Sequence, residues 1–110
     1  MFSTVLTPVR DLDAVRPVWV ALLGEPTTDS PYYVGWTRDG REVGLVPGGD
    51  QQGLTGPTPY RHVDDIAAAT QALVAAGGTL VQEPRDVGGG RLVALVRDPE
   101  DHAIGLMQDR

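Results

Sequence analysis

The chain carries two imidazoles and no thiol: His62 and His102 are its histidines, and cysteine is absent. Without a thiolate there is no disulfide framework, no cysteine-ligated zinc and no cysteine nucleophile, and the composition fits a reducing compartment. Tyr60 stands two positions before His62, so on a strand both project from one face, where either could give or take a proton. These two are the candidate catalytic residues, and for His62 a structural role and a chemical one stand level. His102 follows the turn-forming run Asp98-Pro99-Glu100-Asp101 and reads as a turn residue tolerant of unusual dihedrals. Gly88-Gly89-Gly90 is followed by neither a helix nor a lysine, so it reads as a hairpin turn and not as a phosphate loop.

A scaffold must hold these residues, and hydrophobic periodicity outlines it. Met1 to Pro8 is β-prone, and Asp11 then opens a segment to Leu23 with apolar residues at Val15, Val18, Trp19, Leu22 and Leu23, a helical spacing. Pro17 inside that segment predicts a regular helix starting near Arg16, and Gly24 ends it. After a turn-rich stretch, Tyr32 to Arg38 and Glu42 to Val46 read as strands joined at Asp39-Gly40, a strong hairpin signal. Beyond a linker at 49–56 the order returns. A strand at Thr58 to Val63 precedes an alanine-rich helix from Ile66 to Ala76, and strands follow at Thr79 to Pro84, Arg91 to Arg97 and Ala103 to Gln108.

The recurrence holds residue by residue. Val9-Arg10-Asp11-Leu12-Asp13-Ala14 lies over Val63-Asp64-Asp65-Ile66-Ala67-Ala68 at a shift of 54, which also places Thr4 on Thr58 and Gly24 on Gly78. Arg38-Asp39 with Val43-Gly44-Leu45 answers Arg97-Asp98 with Ile104-Gly105-Leu106. We read a duplication: an α+β chain of two tandem βαβββ modules, about 1–48 and 57–110, within one 110-residue domain.

These features together resemble the vicinal oxygen chelate superfamily of glyoxalases, bleomycin-resistance proteins and extradiol dioxygenases. The carriers are the two helix starts Val9-Arg10-Asp11-Leu12 and Val63-Asp64-Asp65-Ile66, the helix ending at Gly24, and the tail from Asp98 to Gln108. That tail is similar to the family's D-P-[DE]-G-N-x-I-E-L-x-Q. The resemblance implies one cupped mixed sheet with helices on its outer face. In metal-dependent members, a His or Gln on the first strand and a Glu on the last strand of each module hold a divalent ion that polarises a substrate oxygen. Carried onto this chain, those positions fall on Thr4, Gly44, Thr58 and Gly105, none of them a usable ligand. The expectation is a protein with no metal and no cofactor.

From those positions, strand alternation selects the cup face. Glu42 and Val46 share it with Gly44, Tyr60 and His62 with Thr58, Leu6 with Thr4, and Ala103 and Met107 with Gly105. An even hairpin loop adds Tyr33, Gly35 and Thr37, while Trp36 turns outward under the helices. Glu42 would then assist His62 or Tyr60. Loss of two glutamates opens space, which gives a cup lined by Leu6, Tyr33, Val46, Tyr60 and Met107 with a few polar groups, fit for a small ligand. Packing of these residues against each other or a second subunit stands level with that reading.

Three functions remain open on these grounds. The first is metal-free binding of a small, partly aromatic molecule, by sequestration as in the bleomycin-resistance branch. The second is a cofactor-independent isomerase or lyase using His62 and Tyr60, and the third is a partner module without small-molecule chemistry. A net charge of −6 makes nucleic acid a poor partner. No apolar run approaches the roughly 20 residues that span a bilayer, so no membrane role is expected and the cytoplasm is the default address. The family resemblance and the frequency of two-fold assemblies imply a homodimer.

Overall fold

A computed structural model of the chain describes residues 1–109, which divide into two compact units: Ser3–Pro57, and the stretch from Thr58 onward to which Met1–Phe2 belong. Each unit is one βαβββ module, as the repeat predicts. The first runs β1 (Thr4–Val9), α1 (Leu12–Leu23), β2 (Thr28–Asp29), β3 (Val34–Arg38) and β4 (Arg41–Pro47), followed by a 3₁₀ turn at Gly49–Gln52. The second runs β5 (Thr58–His62), α2 (Ile66–Ala75), β6 (Thr79–Asp86), β7 (Leu92–Arg97) and β8 (Ala103–Gln108). Within the modules the strand orders are β2-β3-β4-β1 and β5-β8-β7-β6. In each, the first strand runs parallel to the last and the other pairings are antiparallel, so each half-sheet is mixed.

The helices begin alike because the same residue type caps them. Asp11 accepts from the amide of Ala14 and Asp65 from that of Ala68, both at 3.1 Å, each satisfying an N–H that the first turn leaves without an intrahelical partner. Substituting such a cap by alanine typically costs about 0.5–2 kcal/mol. In the second module Gln108 adds a tether, its Oε1 accepting from the Ile66 amide at 2.8 Å and tying α2 to the end of β8.

Helix α1 starts at Leu12 and not near Arg16, with Pro17 inside it. Pro17 has no N–H to donate toward the Asp13 carbonyl and its ring crowds that group, a cost that falls on the exposed start of the helix. What holds the turn in place is the Asp11 cap together with Leu12, Val15, Trp19, Val20 and Leu23, which pack on a core of Val9, Val34, Trp36 and Leu45. Val18 and Leu22, expected on the apolar face, are exposed. Short β2 was not foreseen within the turn-rich stretch, because two residues are too few to show alternation. The second core is wholly aliphatic: Ile66, Ala94 and Leu106, with Val63, Ala69, Leu73 and Leu92 against them.

Both tight turns are where the sequence places them. Asp39 and Gly40 have φ of 54° and 75°, the left-handed pair that a two-residue hairpin needs. In the turn after β7 it is Asp101 that is left-handed, with φ 67°, and not His102. His102 instead closes an Asx turn: Oδ1 of Asp98 accepts from the amides of Glu100 and His102, both at 2.9 Å, and the His102 ring lies against the same carboxylate. These bonds hold the Asp98 carboxyl below its ordinary range, the His102 amide being the largest cause. Gly88-Gly89-Gly90 forms the β6–β7 turn, closed by the Val87 amide on the Arg91 carbonyl and the Arg91 amide on that of Gly88.

Candidate functional site

In each module the sheet has one face under its helix and one face away from it, and the pairing confirms which residues share the second. In the first module Gly35 stands opposite Gly44, Thr37 opposite Glu42, and Leu6 beside Gly44. In the second, Tyr60 stands beside Gly105 and His62 beside Met107, with Leu95 and Val93 opposite those two. Trp36 lies on the helix side as expected, its Nε1 donating to the Gly24 carbonyl at 2.8 Å and its ring 6.4 Å from that of Trp19.

The space expected over the glycines is not open, because tyrosine rings fill it. A Cβ built on Gly44 would lie 2.6 Å from Cζ of Tyr33, and one on Gly35 would meet the same ring. On Gly105, a Cβ would stand 2.5 Å from Cγ of Tyr60. Real Cβ atoms do not approach so closely, so glycine is required where each ring lies flat on the backbone. The sequence reading placed both tyrosines on this face but treated them as walls. They are the floor.

Tyr33 is aimed from outside the strand. Ser30 Oγ accepts from the amides of Tyr32 and Tyr33 and donates to the Tyr33 carbonyl, an ST turn that delivers the ring to β3 and β4. Thr27 pins the same segment by donating to the Gly35 carbonyl and accepting from the Thr37 amide. At its far end the Tyr33 hydroxyl donates to Glu42, so this carboxylate serves the phenol in its own module. Tyr60 is buried, and burial pushes its phenol above the ordinary tyrosine value against a smaller opposing pull from Arg85. At neutral pH it stays protonated, a hydrogen-bond donor and not a base.

His62 lies at the open end of β5, its side chain 37 % exposed, with Nε2 3.2 Å from Oδ2 of Asp109. Arg91 grips that carboxylate through Nε at 2.7 Å and Nη2 at 3.3 Å. Arg91 first, and His62 after it, hold the Asp109 carboxyl below its ordinary value, so it is ionised at neutral pH and able to orient the imidazole. Sequence reasoning missed Asp109, Arg91 and Arg85. A signal existed for the first two: the turn that sets Arg97 opposite Ala103 runs on to set Leu92 opposite Gln108, so the next pair outward is Arg91 and Asp109.

The other expected lining residues divide by exposure. Thr4, Val46, Thr58 and Met107 are buried, while Leu6 and Tyr33 are half-buried. Thr4 Oγ1 has no hydrogen-bond partner among the described residues. A divalent ion of the family's kind does not fit this donor set. Each module offers one threonine hydroxyl and one glycine at the ligand positions, and the space beside each glycine is taken by a ring. Among the described residues no three of His, Asp or Glu are grouped to hold a metal.

Known proteins agree with this architecture. A protein of Vibrio cholerae described as a probable lactoylglutathione lyase is 43% identical over 49 residues, which span 44% of this chain and only 36% of that relative. A glyoxalase/bleomycin resistance protein/dioxygenase superfamily member from Vibrio splendidus 12B01 superposes with a TM-score of 0.69 at 21% identity, covering 96% of this chain and 97% of the other. The Mn(II)-bound glyoxalase from Novosphingobium aromaticivorans gives the same score at 16% identity, covering 98% of this chain and 38% of that one. At such identities the likeness is one of fold. The sequence profile of the Glyoxalase/Bleomycin resistance protein/Dioxygenase superfamily matches residues 4–106, nearly the whole paired-module unit, and the chain belongs to that superfamily.

Proposed function

We propose that this protein binds a small, partly aromatic molecule without a metal ion, on the helix-free face of a module's sheet, floored by Tyr33 in the first module and by Tyr60 in the second, and acts by sequestration. The observation that carries the reading is the seating of the two rings on Gly35, Gly44 and Gly105, which puts flat aromatic surface where the family's ligand positions lie. In the first module Leu6 and Val46 supply the apolar surround and the Tyr33 hydroxyl with Glu42 a polar anchor; in the second Met107 and His62 take those parts, the mixture that small-molecule sites use. A panel of single-ring aromatic compounds screened by thermal shift, with each stabilising compound re-isolated after incubation, tests the proposal. A rise in Tm with the compound recovered intact is expected. A stoichiometric divalent ion retained through dialysis would overturn the metal-free reading.

The contact of His62 with an Arg91-held Asp109 favours a second reading, a cofactor-independent isomerase or lyase in which His62 is the base and Tyr60 a hydrogen-bond donor. The lactoylglutathione lyase name of the short matching relative points to the same reaction class. Conversion of a bound compound that disappears in His62→Ala would establish this reading over sequestration. With either goes a cytoplasmic homodimer, and a monomer by light scattering at assay concentration would remove the dimer. No helix among the described residues is long and apolar enough to cross a membrane.

A further inference from the structure

On the other side of the first module's sheet, the side that carries α1, the chain leaves a corner uncovered. Helix α1 stops at Leu23 while β3 and β4 run on to their hairpin, and an open groove of about 520 Å³ results, lined by Leu23, Trp36, Arg38, Asp39, Arg41 and Val43. This volume is in the range of small-molecule sites. The pairing explains its chemistry. Trp36 stands opposite Val43 and, one step nearer the hairpin on the same face, Arg38 stands directly opposite Arg41.

Two like charges directly across an antiparallel pair repel, and both are exposed on a chain whose net charge is −6. Arg38 reaches back to the Leu23 carbonyl at 3.5 Å, the negative end of α1. Arg41 makes no ion pair or side-chain hydrogen bond among the described residues. Asp39 is the single carboxylate in the lining, so the groove is cationic. Beneath the two guanidinium groups lie Leu23, Val43 and Trp36, whose only polar atom is already given to Gly24 and which therefore presents hydrocarbon.

We propose that this groove is a second ligand site, for a small organic carboxylate with a flat apolar body. The carboxylate bridges Arg41 and Arg38, relieving their repulsion, and the ring lies along Trp36, Leu23 and Val43. It is independent of the tyrosine-floored faces, since it lies on the opposite side of the sheet from Tyr33.

Titration of the full chain with benzoate, followed by amide and indole NMR signals, tests the proposal, with benzamide as the neutral isostere and acetate as the anion lacking a ring. Saturable shifts at Trp36, Val43 and Arg41 are expected with benzoate, and binding at least about tenfold weaker with either control. Arg41→Gln, at an exposed position with no bond to lose, should weaken benzoate by about the same factor, and Arg41→Lys should restore only part because an ammonium cannot pair in bidentate fashion. The proposal fails if the shifts fall on Leu6, Tyr33, Tyr60 or Met107, if they do not saturate, if benzamide binds as well, or if Arg41→Gln leaves the affinity unchanged.

Discussion

The two modules solve one packing problem in opposite ways. Each has a glycine in the middle of its last strand, Gly44 or Gly105, and each covers it with a tyrosine ring. In the second module the ring comes from the parallel neighbour, Tyr60, while the antiparallel neighbour is Leu95. In the first module the parallel neighbour is Leu6 and the antiparallel neighbour is Gly35, and the ring arrives from Tyr33, outside the ladder. One aromatic and one leucine surround each glycine, with the aromatic on alternate flanks. Gly35 is what the exchange requires: a side chain there would strike the incoming ring. A duplicated backbone therefore conserves the volume over the glycine while the residue that supplies it moves.

The sharpest break of this equivalence is removal of the rings. Tyr60→Ala should cost about 3–5 kcal/mol in urea unfolding, the range for a large buried aromatic, and Tyr33→Ala about half that because its ring is half-buried and its hydroxyl bond lies near solvent. Equal losses would mean that the two floors carry the same load. Gly105→Ala should destabilise by about 1–3 kcal/mol through overpacking, and pairing it with Tyr60→Leu, which copies the arrangement around Leu6, should cost less than the sum of the single changes.

A smaller asymmetry is electrostatic, since only the second module has the Arg91–Asp109–His62 array. Asp109→Asn should lower stability at pH 7 by about 0.5–1 kcal/mol, a figure discounted for exposure. The Asp109 carboxyl is held below its ordinary value in the folded chain, so its contribution is complete above about pH 4 and disappears as pH falls through the lowered value. The stability gap between the two proteins should narrow as pH is lowered below about 4, and a gap that stays constant through acid unfolding would show the loss to be one of packing. The smallest effect expected concerns the turns. Asp101 takes a left-handed conformation where the first module's hairpin has Asp39 and Gly40, and Asp101→Gly should raise stability by up to about 1 kcal/mol, read as a higher urea midpoint with an unchanged m-value.

Much of the scaffold was legible because it rests on local rules. The Asp11 and Asp65 caps, the Asp39-Gly40 hairpin and the 54-residue shift each follow from residue type and spacing, and the even hairpin loop is enough to put Gly35 on the face of Gly44. The faces of Tyr33, Tyr60 and His62 followed from the same alternation. Pro17 misled because propensity alone argues against a proline at that position, whereas the helix is held by its cap and its packed face.

What spacing could not supply was occupancy. Alternation tells which side of a sheet a ring leaves from, but whether it stands up as a wall or lies down on a glycine depends on what packs around it, on the same hairpin for Tyr33 and three strands away in the chain for Tyr60, and that is a matter of packing density. The same holds for Asp109, which meets Arg91 and His62 only when β5, β7 and β8 lie side by side, and for the groove at Arg38 and Arg41, which exists because α1 ends before the hairpin does. Residue order alone determined the paired modules and the placing of threonine or glycine, with neither imidazole nor carboxylate, at positions 4, 44, 58 and 105. Tertiary structure decided that aromatic rings lie on Gly35, Gly44 and Gly105, because only the folded chain fixes which side chains come within van der Waals reach.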